Sequence, residues 1–277
     1  MKKLLLIPAL VISGIALVLA ADLGSRAFTF VDVGGHQLRL LITGQGAPTV
    51  VFESGGVGNS SDVLEFWERV QPAVSRFART VSYDRAGVGW SEPGSGSHDA
   101  RTVAQELHTA LQKAGVAPPY ILAGHSFGGP LIRVFAGLYP GEVAGLVLID
   151  PSQEDFFAWN DQHDSEHQVR QEEESQVIEA TFAQARQSVV PPGIPVALIT
   201  ATGPRVLPSF ISEEEKESRK VQKSMWLKFH SDWVATVPGA KHIITENSGH
   251  GVPMEEPDLV IGAIRRAVEQ ARKRPGS

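Results

Sequence analysis

The sequence contains no cysteine in 277 residues. Disulfides, thiolate catalysis and cysteine-based zinc sites are therefore excluded. It also lacks a basic stripe: 25 Lys and Arg stand against 31 Asp and Glu, for a net charge of −6. Nucleic acid is not an expected partner of such a surface. No fixed-period repeat is visible, and the only low-complexity tract is a short Gly/Ser stretch at Gly94 to Ser97. What remains is an ordinary globular composition, 42% hydrophobic and 20% charged. The length suits one sizeable core domain with a modest insertion.

Charge is also missing from one end of the chain. Lys2 and Lys3 precede an uncharged, mostly apolar run from Leu4 to Ala21, which closes on small residues before Asp22. A basic start, an apolar centre and a small-residue end read as a secretory signal peptide. The run also reaches the roughly 18 residues that can span a bilayer. An uncleaved membrane anchor at residues 1–21 is the alternative, so the expectation is an exported or membrane-anchored protein. Pro8 and Gly14 disfavour an ordinary buried helix there.

After the leader, strand-like and helix-like segments alternate. Phe28 to Val33 and Gln37 to Thr43, joined by Gly34-Gly35, read as a hairpin. Short apolar strands are expected at Pro48 to Phe52, Thr80 to Tyr83, Tyr120 to Ala123, Gly145 to Ile149, Pro195 to Thr200 and Lys241 to Glu246. Helical spacing covers Asp62 to Phe77, Thr102 to Ala114, Pro130 to Leu138, a charged stretch from Ser212, and Leu259 to Ala271. Such runs are strands covered on both faces, so the expected fold class is α/β: a doubly wound, mostly parallel sheet with a hairpin start. Residues 151–190 differ. They are polar, charged and helical in pattern, with Phe156, Phe157, Trp159 and Phe182 dispersed through them. They read as a helical lid inserted into a core made of residues 22–150 and 191–277, lying where ligands bind in open α/β sheets. The competing reading is a solvated crossover helix.

The chemistry centres on Gly124-His125-Ser126-Phe127-Gly128-Gly129, a G-x-S-x-G pattern between an expected strand and an expected helix. A sharp turn there exposes the Ser126 hydroxyl at a helix N-terminus and aims the Phe127 N–H at an oxyanion. Serine needs a base to take its proton. His250, in Asn247-Ser248-Gly249-His250-Gly251, follows the last strand at the same sheet edge. His36, His98, His108, His163, His167, His230 and His242 suit it less well by position, and His125 is expected to shape the turn. The second oxyanion donor is expected in Glu53-Ser54-Gly55-Gly56-Val57-Gly58, at Gly56, with Gly55 or Val57 as alternatives.

A further absence locates the third member. Pro195 to Ile211 contains no Asp or Glu. The preceding strand ends on Asp150, at the correct edge to orient His250. Asp150 is therefore the expected acid, with Glu154 and Asp155 behind it; the alternative is a helix cap. Asp84-Arg85-Ala86-Gly87-Val88-Gly89-Trp90-Ser91 lacks a P-loop Lys-Ser/Thr pair and reads as a structural turn, Asp84 and Arg85 pairing locally and Trp90 helping to line the pocket.

Four segments in this order resemble the α/β-hydrolase superfamily over nearly all of residues 26–272: Gly55-Gly56, the Asp84 to Ser91 turn, the Gly124 to Gly129 turn, and Ser248-Gly249-His250. The resemblance implies Ser126 as nucleophile, His250 as base and Phe127 as an oxyanion donor. Two departures stand out. Ser54-Gly55 replaces the common His-Gly, and the acid is absent from its usual strand, some members carrying it one strand earlier, as Asp150 would. The expected activity is hydrolysis of a small-molecule carboxylic ester through an acyl-enzyme, with no metal or organic cofactor. Amide, aminopeptidase or C–C cleavage by the same residues, and a catalytically silent binding protein, are the rivals.

Overall fold

A computed structural model describes residues 28–56, 66–163, 172–203 and 212–274. The apolar leader at residues 1–21 and the alternative donor Val57 lie outside these. Eight strands form one sheet: β1 Phe28–Asp32, β2 Gln37–Thr43, β3 Thr49–Glu53, β4 Thr80–Tyr83, β5 Tyr120–His125, β6 Val143–Ile149, β7 Val196–Ala201 and β8 Lys241–Thr245. Their order is β1-β2-β4-β3-β5-β6-β7-β8. β2 runs antiparallel to β1 and β4, and every other pairing is parallel. From β1 at one edge the described chain winds inward to β3 and then outward to β8.

The strand sequences explain the two-sided burial. Successive side chains in a strand point to opposite faces. Val51, Leu122, Leu146, Leu148 and Leu198 join one buried cluster with Leu107 and Leu111. Val50, Ile121, Ala123, Val147, Ile149 and Ile199 join a second, with Val260, Ile264 and Val268. Helices α2 Ala100–Lys113 and α3 Gly128–Leu138 supply the first face, and α8 Pro257–Arg272 the second. The other helices among the described residues are α1 Gln71–Val74, α4 Glu154–His163, α5 Glu172–Gln187, α6 Glu213–Ala235 and α7 Val252–Glu255.

Element ends follow local chemistry. Asp99 caps α2 by accepting from the N–H groups of Arg101 and Thr102, which starts the helix two residues before the expected Thr102. Ser212 and Glu215 form a reciprocal capping box at the start of α6. The helix expected over 62–77 is not continuous. Residues 62–65 lie outside the description; Phe66 is helical, residues 67–70 make turns, and helix returns only at Gln71–Val74. Pro72 explains the break, because it donates no backbone hydrogen bond and fits only a first helical turn.

Two helices, α4 and α5, occupy the stretch between β6 and β7 that the charge pattern set apart. They are fastened to the core through Arg133 of α3, which makes a bidentate pair with Glu154 (2.8 and 2.9 Å) and donates to the Ala185 carbonyl (2.9 Å). Phe127, Leu131 and Val134 pack against Ile178, Phe182 and Ala185 below them.

The turn from β5 to α3 has no room for side chains at its glycines. A Cβ on Gly124 would lie 2.5 Å from the Gly128 carbonyl oxygen, and one on Gly128 would lie 2.5 Å from that of Glu53. Gly124→Ala is expected to lower unfolding stability by about 1–3 kcal/mol, the usual cost of overpacking. Gly141→Ala, where nothing lies within 4 Å, should stay within about 0.5 kcal/mol of the parent. Urea titration of both variants measures the contrast; equal stabilities would contradict it.

Candidate active site

Ser126 stands directly after β5 with φ at +52°. A non-glycine residue rarely occupies this region, and its neighbours must hold it there. Its N–H donates to the Ile149 carbonyl (3.1 Å), and its own carbonyl accepts from Gly129 (2.9 Å) and Ser152 (2.8 Å). The hydroxyl is left at the start of α3, pointing at His250. The Oγ to Nε2 distance is 2.9 Å.

His250 sits in the loop between β8 and α7, and glutamates at the start of the closing helices hold that loop. Glu255 accepts from the Gly249 N–H at 2.7 Å. Glu256 accepts from Thr245 (2.6 Å) and Ser248 (3.2 Å). The His250 carbonyl accepts from His125 Nε2 at 2.7 Å, which gives His125 a defined task beyond shaping its own turn. The other ring nitrogen of His250, Nδ1, lies 2.7 Å from Asp150 Oδ2. An ionised carboxylate only accepts, so Nδ1 carries the proton and Nε2 presents its lone pair to the Ser126 hydroxyl.

Asp150 is 1% exposed and has φ at +42°. Its second oxygen accepts from the Ala201 N–H (3.0 Å) and from the Trp226 indole N–H (2.8 Å). Burial acts to raise its pKa, but the His250 hydrogen bond and charge, His230 and the Trp226 indole act against it. The net result lies below the ordinary carboxylate value. The two other carboxylates weighed for this place are engaged elsewhere: Glu154 with Arg133, and Asp155 with Arg186 at 3.1 Å.

The loop expected to supply an oxyanion donor lies against the serine. A Cβ on Gly55 would sit 2.9 Å from Ser126 Cβ. Gly56 has φ at +77°. The Asp84–Arg85 turn departs from expectation. The two residues do not pair with each other: Asp84 binds Arg39 at 2.7 Å, and Arg85 binds Glu53 at 2.6 Å. Each is buried, and a buried charge needs an opposite partner close by; those partners arrive from other strands. Trp90 is 69% exposed and lies beside Arg39, its ring centroid 5.9 Å from the guanidinium carbon.

Sequence reasoning missed Trp226 and weighed His230 only as a weaker candidate base; both lie on α6. His230 is fully buried, with Nε2 donating to the Pro151 carbonyl (2.8 Å) and Nδ1 facing Thr200 Oγ1 (2.8 Å). His242 meets the same hydroxyl at 2.7 Å. Nothing in the helical pattern of α6 distinguishes these residues. Glu53 did carry a signal, as a lone carboxylate ending an apolar strand. Among the described residues, no three His, Asp or Glu side chains gather as a metal-holding group.

The alpha/beta hydrolase fold family matches residues 48–187, half of the 277-residue chain. The chain belongs to the α/β hydrolases. It is 27% identical over 228 residues to the uncharacterized protein YqjL of Bacillus subtilis (strain 168), covering 80% of this chain and 83% of YqjL. Among solved structures, a thermophilic esterase from Thermogutta terrifontis superposes with a TM-score of 0.58 at 18% identity, covering 90% of this chain and 99% of that one. The haloalkane dehalogenase DbeA from Bradyrhizobium elkani USDA94 does so with a TM-score of 0.63 at 14% identity, covering 89% and 98%. These likenesses establish the fold; what the site does depends on its own residues.

Two buried histidines of this α/β hydrolase make its stability depend on pH. Burial, with His250 nearby, holds the His125 pKa down to about 3, and burial holds that of His230 down to about 4. Unfolded, each titrates near 6.5. Below that pH the unfolded chain takes up protons the folded one refuses, so stability falls as pH drops from about 6.5 towards 4. Asp150 adds a loss at still lower pH, as its depressed pKa is passed. Urea unfolding should show about 2 kcal/mol less stability at pH 5 than at pH 6 from the two histidines together. His230→Gln should roughly halve that slope, and an unchanged slope would refute the assignment.

Proposed function

We propose that the protein is a serine hydrolase that cleaves carboxylic esters through an acyl-enzyme intermediate. The observation that carries this reading is the unbroken series Ser126 Oγ, His250 Nε2, His250 Nδ1 and Asp150 Oδ2, with contacts of 2.9 and 2.7 Å. Ser126 Oγ attacks the ester carbonyl carbon while His250 Nε2 takes its proton. Asp150 keeps the proton of Nδ1 in place and stabilises the imidazolium that forms. The oxyanion accepts from the N–H groups of Phe127 and Gly56. Collapse of the intermediate expels the alcohol, which leaves with the proton from His250. Water then attacks the acyl-enzyme with His250 again as base; the bond from the acyl carbon to Ser126 Oγ breaks, His250 returns its proton to Oγ, and the acid departs.

Serine at position 126 favours this chemistry over that of the dehalogenase-type neighbours, which resemble the chain in fold. In this reading α4 and α5 form a lid. Phe156 of α4 meets Trp226 of α6 edge-on, ring centroids 4.8 Å apart, and lies 5.9 Å from Trp159. Trp226 also holds Asp150, so this aromatic group adjoins the acid and suits an apolar acyl or alcohol group. The apolar leader would place the enzyme outside the cytoplasm or on a membrane.

Ser126→Ala should abolish both ester turnover and labelling by a fluorophosphonate, with the fold retained by circular dichroism. Asp150→Asn should cost about 10³–10⁴ in kcat, as expected for loss of the correct imidazole tautomer. A panel of p-nitrophenyl esters set against aminoacyl anilides reads the bond preference. Full activity in the Ser126 variant would end the proposal.

A further inference from the structure

Resting on the serine-hydrolase reading, we infer that Arg85 is the positioning residue of the oxyanion hole, gripping three consecutive carbonyls of the 53–56 loop and so fixing where its N–H groups point. Its Nη1 donates to the Ser54 carbonyl at 2.7 Å, and its Nη2 donates to those of Gly55 (3.0 Å) and Gly56 (2.7 Å). Nη1 also meets Glu53 Oε1 at 2.6 Å. One guanidinium thus engages four oxygens of four successive residues.

A trans peptide holds its C=O and the following N–H in opposite directions. Pinning the Gly55 carbonyl on Arg85 therefore turns the Gly56 N–H away from the guanidinium. Pinning the Ser54 carbonyl does the same for the Gly55 N–H. The loop so held lies against the serine: a Cβ on Gly55 would sit 2.9 Å from Ser126 Cβ and 3.2 Å from His125 Nδ1. A glycine loop would otherwise be free to flip these peptides, since glycine populates positive and negative φ with similar ease. Preorganised donors stabilise an oxyanion because they need no reorientation as charge develops. The Nη atoms of Arg85 are taken up by Glu53 and the three loop carbonyls. It acts only through the loop.

The arginine is itself held. Glu53 is 2% exposed and pairs with Arg85 through one oxygen, while Tyr83 donates its hydroxyl to the other. Burial raises the Glu53 pKa against the opposing pull of Arg85 and Tyr83. Only the planar fork of arginine presents several N–H donors in fixed directions; lysine offers a point charge. The Asp84 to Ser91 turn thereby acquires a function: Asp84 binds Arg39 and accepts from the Trp90 N–H, which anchors the backbone from which Arg85 reaches across to β3.

The experiment compares wild type with Arg85→Lys and with the charge-neutral double variant Glu53→Gln/Arg85→Gln, which leaves no lone buried charge. Three readouts are taken: kcat and KM on a p-nitrophenyl ester, affinity for a trifluoromethyl ketone that adds Ser126 to form an oxyanion, and affinity for the product carboxylic acid. Arg85→Lys should lower kcat about 10²-fold, with KM within about threefold, and weaken the ketone by the same factor as kcat. Product affinity should hold. Unchanged kcat and ketone affinity in either variant would overturn the inference. So would a parallel loss of ketone and product affinity, which marks general collapse of the site, or failure of both variants to fold, which assigns Arg85 to stability alone. Absence of fluorophosphonate labelling in the wild type is a separate result that removes the hydrolase reading as well.

Discussion

The site is organised around one buried charge, the carboxylate of Asp150. A carboxylate taken out of water costs several kcal/mol unless its lone pairs are met. Here three donors meet them: the Ala201 N–H at the end of β7, the Trp226 indole on α6 and the His250 imidazole after β8. Three segments distant in sequence are thereby drawn to one point. The same requirement explains the strained φ of Asp150, because only a sharply turned chain at the end of β6 brings the carboxylate under the imidazole. Its N–H is occupied by the Ile199 carbonyl at 2.7 Å, so the turn is tied to β7 on both sides of the residue.

Around that centre, other buried charges act as fasteners between elements. Arg133 and Glu154 join α3 to α4, and Arg39 and Asp84 join β2 to the turn after β4. Breaking such a pair leaves an uncompensated charge in the interior, which is far more damaging than the net worth of the intact pair. Their value in this fold is register. Each pair fixes which residue of one element faces which residue of another, close to the loops that surround Ser126.

The strands were legible in the sequence because a sheet covered on both faces demands short unbroken apolar runs, and β3, β4, β5 and β6 have them. The turn from Gly124 to Gly129 was legible because its glycines at 124 and 128 are dictated by carbonyl oxygens 2.5 Å from where a Cβ would be. Asp150 could be picked out because the following strand and loop offered no acid. What could not be read is contact between distant segments. Trp226 and His230 lie on a helix whose charged pattern looks solvated, and nothing local says that one of them binds Asp150 and the other the neighbouring Pro151 carbonyl. The Asp84–Arg85 pair was misjudged for the same reason: adjacent opposite charges suggest each other as partners, whereas burial matched each with a residue from another strand. The break before Pro72 was a local signal outweighed by apolar spacing on either side.

The Ser126 to His250 contact closes a separation of 124 residues. At roughly 5–20 residues per second of synthesis, the ribosome releases the serine about 6–25 s before the histidine (124/20 to 124/5). During that interval the growing chain carries an ordinary alcohol with no base beside it. If Ser126 is the nucleophile, reactivity arrives only when the last strand has docked, and an incomplete chain is chemically silent towards whatever esters surround it.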